Sequence, residues 1–285
     1  MSTQATVATV LRCGLRKLRV ENPRLEAEVL LANSLQVARS WLHAHPEMPL
    51  NGTQEQDYQK TINDRAAGLP LPYLIGHWEF FGLDFVVDSR ALIPRPETEL
   101  LVEEAISISK HHLPTAGYRI ADVGSGCGII AVSLALQLPS VHITASDISM
   151  QALHLTYENA HRHGVSTRVH CVQSDLLTGL DTFDIICANL PYISTDELST
   201  LPTSQHEPRL ALYGGHDGLS VIRRLLSHAP RHLRTGGYIL LEIGSTQGDI
   251  ALELAHTYLP DAKCDILPDL SRKERMLRIR SPQKT

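Results

Sequence analysis

From residue 118 to the C-terminus, short apolar segments alternate with amphipathic ones, and this alternation constrains the fold more than any other feature of the chain. Residues 119–123, 141–145, 167–172, 183–188 and 238–243 read as strands, with further strands near 263–267 and 275–279. Between them, residues 129–138, 150–163, 219–233 and 246–258 carry helical periodicity. Strands and helices in turn specify an α/β, Rossmann-like sheet covered by helices on both faces. No internal repeat or low-complexity tract interrupts the pattern.

The preceding chain has a different character. Val7, Val10, Leu11, Leu15 and Leu18 recur at helical spacing, and Leu25, Val29, Leu30 and Leu35 form a second apolar face. Asn22-Pro23 is a helix start signal, Asn51-Gly52 marks a turn, and residues 54–67 read as another helix. Residues 1–75 are therefore expected to be a small helical domain, whose basic and acidic residues nearly balance. Residues 76–95 are expected to be a β-hairpin linker, because residues 79–87 are aromatic and β-branched with Gly82 inside. Residues 96–285 form the third expected domain.

Several function classes fall away on composition. The net charge is −5, which suits a broad grip on duplex phosphates poorly while leaving room for a local basic groove. Cys13, Cys127, Cys171, Cys187 and Cys264 are odd in number and widely spaced, which fits reduced thiols in a cytoplasmic setting. The longest apolar stretch, residues 128–138, falls short of the ~20 residues that span a bilayer. Arg12, Arg16 and Arg19 allow a transit-peptide reading, but the same stretch reads well as a first helix. The histidines lack zinc-site spacing and no HExxH occurs, so no metal is expected.

Asp122-Val123-Gly124-Ser125-Gly126-Cys127-Gly128 joins the first α/β strand to its helix. Glycines there permit tight turning and a close backbone approach to a ligand at a helix start. Asp147 closes the next strand, at about the 20-residue offset where an acid meets ribose hydroxyls in dinucleotide folds. A dinucleotide loop, however, needs a glycine where this chain has Ile129. The GxGxG spacing instead resembles the S-adenosylmethionine loop of class I methyltransferases. In that resemblance Gly124, Ser125, Gly126, Cys127 and Gly128 face the methionine moiety, whose carboxylate meets the backbone N–H groups. Asp175 and Leu176, after the third strand, line the adenine. A ligand-free glycine turn, and Asp175 as a mere helix N-cap, are the competing readings. Cys127 reads as a small side chain packed beside a cofactor rather than as a nucleophile.

Asn189-Leu190-Pro191-Tyr192 follows the fourth strand at the same sheet edge, where open α/β sheets bind ligands. An amide or amino nitrogen conjugated to a π system is a weak nucleophile. The Asn189 side-chain oxygen and the carbonyl of residue 190 can accept its two N–H bonds, and Tyr192 can offer a flat face to the planar group. That is catalysis by orientation and electrostatics, without a general base. A plain strand-end turn is the competing reading.

With Leu92-Ile93-Pro94-Arg95-Pro96-Glu97-Thr98-Glu99, Glu207-Pro208-Arg209-Leu210-Ala211-Leu212, Gly214-Gly215, Asp217-Gly218-Leu219, Leu241-Glu242-Ile243-Gly244 and Asp269-Leu270, the chain resembles the HemK/PrmC glutamine N5-methyltransferases of peptide chain release factors. The resemblance implies a helical substrate-recognition domain, a hairpin linker and a class I S-adenosylmethionine methyltransferase domain with a seven-stranded, mostly parallel sheet. It implies transfer of the cofactor's methyl to the glutamine of a Gly-Gly-Gln motif in class I release factors, with Asn189 and Tyr192 catalytic. Asn189, Leu190, Pro191 and Tyr192 would bind substrate, and Asn189 would also border the cofactor. Leu190 stands where the family usually has proline; the carbonyl survives that change, and Pro191 keeps residue 190 extended. Two other classes compete: an amino-methyltransferase acting on DNA or RNA, which should carry a basic cleft or target-recognition domain, and a non-catalytic cofactor-binding scaffold, which should carry a broken Asn motif.

Overall fold

A computed structural model of the chain describes residues 5–112, 117–200 and 205–283. The outermost residues of the expected first and last domains, 1–4 and 284–285, lie outside it. The chain divides into two compact units, Met1–His77 and Trp78–Thr285.

The first unit contains helices α1 (Val7–Lys17), α2 (Pro23–Leu35), α3 (Arg39–Ala44), α4 (Gly52–Ala66) and α5 (Leu71–Ile75). Reciprocal side-chain caps start α1 at Thr6 with Thr9, and α4 at Asn51 with Gln54. Pro23 occupies the first turn of α2, where a missing N–H costs nothing. Val10, Leu30, Leu31, Leu42, Tyr58 and Ile62 make its buried core. Gly14 lets α1 and α4 close together: a Cβ there would stand 2.4 Å from the Tyr58 hydroxyl. Glu28 is buried and ion-paired to Arg24, Arg39 and His43. Burial pushes its carboxyl up, but the Arg24 hydrogen bond and the nearby charges win, and it ends below its ordinary value.

Strand β1 (His77–Phe80) begins at the last residue of the first unit and runs into the second, where it turns through Phe81 and Gly82, both at positive φ, into β2 (Leu83–Val86). This is the expected hairpin, and its turn is tied down: Glu99 accepts from the Phe81 N–H at 3.0 Å. A 3-10 turn (Pro96–Thr98) leads into α6 (Glu99–His112). There follow β3 (Arg119–Val123), α7 (Ile129–Gln137), β4 (His142–Asp147), α8 (Met150–Arg162), β5 (Val169–Gln173) and β6 (Phe183–Ala188). Two short helices, α9 (Thr195–Thr200) and α10 (Arg209–Leu212), precede α11 (Ser220–His232), β7 (Leu233–Glu242), α12 (Gly248–Tyr258), β8 (Lys263–Pro268) and β9 (Glu274–Arg280).

The seven strands lie in the order β5-β4-β3-β6-β7-β9-β8. β5 through β7 run parallel, and β9 is antiparallel to both its neighbours. The Rossmann-like sheet is thus present, with its order reversing between β3 and β6. In open α/β sheets a cleft forms at such a reversal, beyond the carboxyl ends of the strands. Those ends carry Val123, Asp147, Gln173, Ala188 and Glu242. β3, β6 and the C-terminal half of β7 are almost wholly buried, as parallel strands covered on both faces must be. Among the described residues, no helix is long and apolar enough to cross a membrane.

Candidate active site

Beyond β3 the chain turns through Gly124, Gly126 and Gly128, each at positive φ, where side chains are disfavoured. Crowding adds a second reason at Gly128: a Cβ would meet Thr156 of α8 at 2.9 Å. Thr156 donates to the Gly126 carbonyl at 2.9 Å, and the buried Asn159 donates to the Cys127 carbonyl at 2.9 Å and pairs with both backbone groups of Val86. One face of α8 therefore holds the loop rigid from behind. On the cleft side the loop is bare, since a Cβ on Gly126 would meet only Ala91, at 3.8 Å.

Asp147 ends β4 with its carboxylate beside the loop, accepting from Gly126 N–H at 3.0 Å and Ser149 N–H at 2.8 Å. Burial pushes this carboxyl above its ordinary value, and those N–H donors partly offset the push. A carboxylate has about four acceptor positions, so two bonds leave capacity for a ligand. The loop's own donors are scarcer than its glycines suggest. Gly124 and Ser125 N–H go to the Ser146 carbonyl, and Gly128 N–H to Ser125. A ligand carboxylate would meet fewer loop N–H groups than expected.

Asp175 and Leu176 border the same cleft, with Leu176 at φ 54°. No helix follows Asp175, so it caps none; its carboxylate takes a 2.6 Å ion pair from Arg224 of α11. Cys127 is buried and its thiol is pushed up to about 12 by that burial, so it stays protonated near neutral pH.

The Asn189-Leu190-Pro191-Tyr192 turn is held on every side. Leu190 is buried against Gly124, where its Cδ2 would stand 3.0 Å from any Cβ. Ile193 donates to the Leu212 carbonyl and accepts from Gly214. Gln247 donates to the Tyr192 carbonyl at 2.9 Å. Gly214 and Gly218 press directly on this backbone: a Cβ on either would come within 2.6 Å of the Pro191 carbonyl or 2.3 Å of the Tyr192 carbonyl. Asn189 Nδ2 donates to Thr98 Oγ1 at 3.0 Å, and its Oδ1 carries no hydrogen bond among the described residues.

One cleft thus collects Gly124, Ser125, Gly126, Cys127, Asp147, Asp175, Leu176, Asn189, Leu190 and Pro191. Gly128 sits behind it, beneath Thr156. Tyr192 does not face it. Its ring packs partly buried against the core, and its hydroxyl donates to Glu242 at 3.1 Å. The flat ring on the cleft wall belongs to Tyr213, which lies between the Glu207–Leu212 and Gly214-Gly215 motifs and in neither. The motifs alone assign no role to two further groups. Glu207, with its side chain buried, accepts from Ile93 N–H at 3.2 Å and from Arg95 at 2.5 Å. It fastens together the cleft walls built from residues 92–96 and 207–213. Thr98 and Glu242 join Asn189 to Tyr192 through hydrogen bonds.

Comparison with known proteins agrees with this architecture. The family described as "PrmC N-terminal domain" matches residues 11–76, and "Methyltransferase small domain" matches residues 98–203. A release factor glutamine methyltransferase of Moorella thermoacetica is 44% identical over 259 residues, covering 90% of each chain. Its counterpart in Rhodopirellula baltica is 38% identical over 272 residues, covering 92% of this chain and 90% of that one. Among solved structures, a methyltransferase from Pyrococcus furiosus superposes with a TM-score of 0.52 at 15% identity, covering 81% of this chain and all (100%) of that one. The hMettl16 catalytic domain, solved with an RNA hairpin, gives 0.56 at 14%, covering 82% and 83%. At such identities these two structures speak for the shared fold alone.

Proposed function

The chain belongs to the release factor glutamine methyltransferase family, and from that premise we propose how its cleft methylates the glutamine of a Gly-Gly-Gln motif in class I peptide chain release factors. When bound, S-adenosylmethionine supplies an electrophilic methyl carried on a sulfonium sulfur. The residues present suit that cofactor. Asp147 offers a half-buried carboxylate with acceptor capacity to spare, and the bare Gly126 surface admits close approach. Asp175, Leu176 and Ile148 give the apolar and polar edges that an adenosyl group needs.

The observation that carries the reading is the unbonded Asn189 Oδ1 at the lip of the same cleft. With the Leu190 carbonyl it supplies two fixed acceptors for the two N–H bonds of a primary amide. Those bonds hold the amide nitrogen's face towards the methyl and stabilise the positive charge that grows on nitrogen. No group here has to remove a proton before transfer, since charge development itself acidifies the N–H bonds. Tyr213 supplies the planar wall. We assign substrate recognition beyond the glutamine to the helical unit, and place the enzyme in the cytoplasm, where release factors work.

Incubating the protein with methyl-labelled S-adenosylmethionine and an intact class I release factor, then mapping the label by mass spectrometry, tests this. Label is expected on the glutamine of Gly-Gly-Gln. A folded Asn189→Ala protein should be slower by about 10²-fold or more, the scale for removing one preorganised transition-state partner. Label elsewhere, or undiminished turnover by the variant, would refute the assignment.

A further inference from the structure

Asn189 can serve as an acceptor only if its amide points the right way round. The two ends of a carboxamide are nearly the same size, so packing alone does not choose between them. The choice is made by groups that the glutamine chemistry does not touch. Thr98, wholly buried at the end of the 3-10 turn, donates its hydroxyl proton to Glu242 Oε2 at 2.6 Å. Tyr192 donates to the other oxygen, Oε1, at 3.1 Å. Glu242 is 2% exposed at the end of β7, and among the described residues these are its two hydroxyl donors.

A threonine hydroxyl has one proton and two lone pairs. With that proton given to a Glu242 oxygen, Thr98 has only lone pairs to offer Asn189. The amide atom 3.0 Å away must then be the NH₂ group. Planarity sends Oδ1 the opposite way, into the cleft. The reversed amide would set oxygen against oxygen at Thr98 and present donors to a substrate nitrogen that is itself a donor.

We propose that Thr98 is a positioning residue: held by Glu242 and acting through Asn189, it fixes the amide orientation that the transfer requires. Tyr192 belongs to the same device, as the second anchor of Glu242 rather than a surface for the substrate. This explains why three segments far apart in sequence converge on one hydrogen-bonded chain. The inference rests on the proposed amide methylation and deepens it.

The test is steady-state methylation of intact release factor by wild type, Thr98→Val and Thr98→Ser, with S-adenosylmethionine affinity measured by calorimetry. Valine keeps the shape and loses the hydroxyl. It is expected to lower kcat by roughly tenfold or more while leaving KM for release factor and cofactor Kd within about threefold, since an interaction realised only in the transition state is lost. Serine should restore most of that loss. Should the valine protein fail to fold because Glu242 is left a donor short, Thr98→Val/Glu242→Gln removes the buried charge as well, and the same fall in kcat is expected. Wild-type kcat in whichever valine protein folds, or an effect confined to KM, overturns the inference. Failure of wild type itself to methylate the glutamine would instead sink the proposed function, and this inference with it.

Discussion

At the scale of single residues, the site rests on buried carboxyls whose surroundings set their charge. Asp122, at the end of β3, is wholly buried and accepts one backbone N–H, from Ala131 at 3.0 Å. Its other oxygen has no hydrogen-bond partner among the described residues. Burial foremost, with a smaller push from the Asp147 charge and against the pull of that N–H, raises its pKa to about 7. The sign follows from linkage. A carboxyl whose folded pKa exceeds its unfolded value holds its proton more tightly when folded, so its contribution is fully favourable below about pH 4. That contribution is lost as pH rises towards 7, by about 4 kcal/mol at most for a shift of this size. Asp122→Asn keeps an acceptor for Ala131 and cannot ionise. Its stability relative to wild type should therefore rise between pH 5 and pH 8, read as a growing difference in urea midpoints. Parallel midpoint curves across that range would show that Asp122 is not the group titrating.

At the scale of elements, the Asn189 turn is shaped by the loop before α11. Gly218 sits at φ 75° with the Tyr192 carbonyl and the Gln247 side chain where a Cβ would go. Gly218→Ala must either displace residues 191–192 or strain its own backbone, so it should cost about 2 kcal/mol or more and lower kcat through the displaced Asn189. An alanine protein with wild-type melting temperature and turnover would mean that this loop gives way freely. The Gly-Gly and Asp-Gly-Leu runs were legible in the sequence, but not their target, because the contact joins residues distant along the chain. The glycine loop, Asp147 and the Asn turn were legible for a different reason: each lies at a strand end, and the alternating pattern alone brings strand ends to one edge. The pattern failed where periodicity is too short or is interrupted. α9 and α10 are only six and four residues long. β7 starts at Leu233 rather than residue 238, since Gly236-Gly237 breaks the apolar run that revealed its second half. Position along the chain puts Tyr192 at the strand end, whereas its ring packs on the core and its hydroxyl bonds Glu242, from another strand.

At the scale of the whole molecule, the division of labour can be tested by cutting. Every described residue that borders the cleft lies between Arg90 and Arg224, all within the second unit. The first unit has its own buried core, and none of its described residues is among them. Its buried Glu28 cluster and its Glu26–Arg65 pair bind helix to helix within it. Its match to the PrmC N-terminal domain begins and ends inside it. Removing residues 1–75 should then leave S-adenosylmethionine affinity within about threefold, or ~0.65 kcal/mol. Methylation of intact release factor should fall much further, because contacts remote from the glutamine position it for transfer, and lost positioning costs rate as well as affinity. The shortened protein must first be shown folded by circular dichroism and monodisperse. A short Gly-Gly-Gln peptide, which reaches the cleft without remote contacts, should then be methylated by both proteins at similar rates. If the folded truncation modifies intact release factor as fast as the full chain, the helical unit has no part in recognising it; if it also loses the cofactor, the cleft depends on more than the residues that line it.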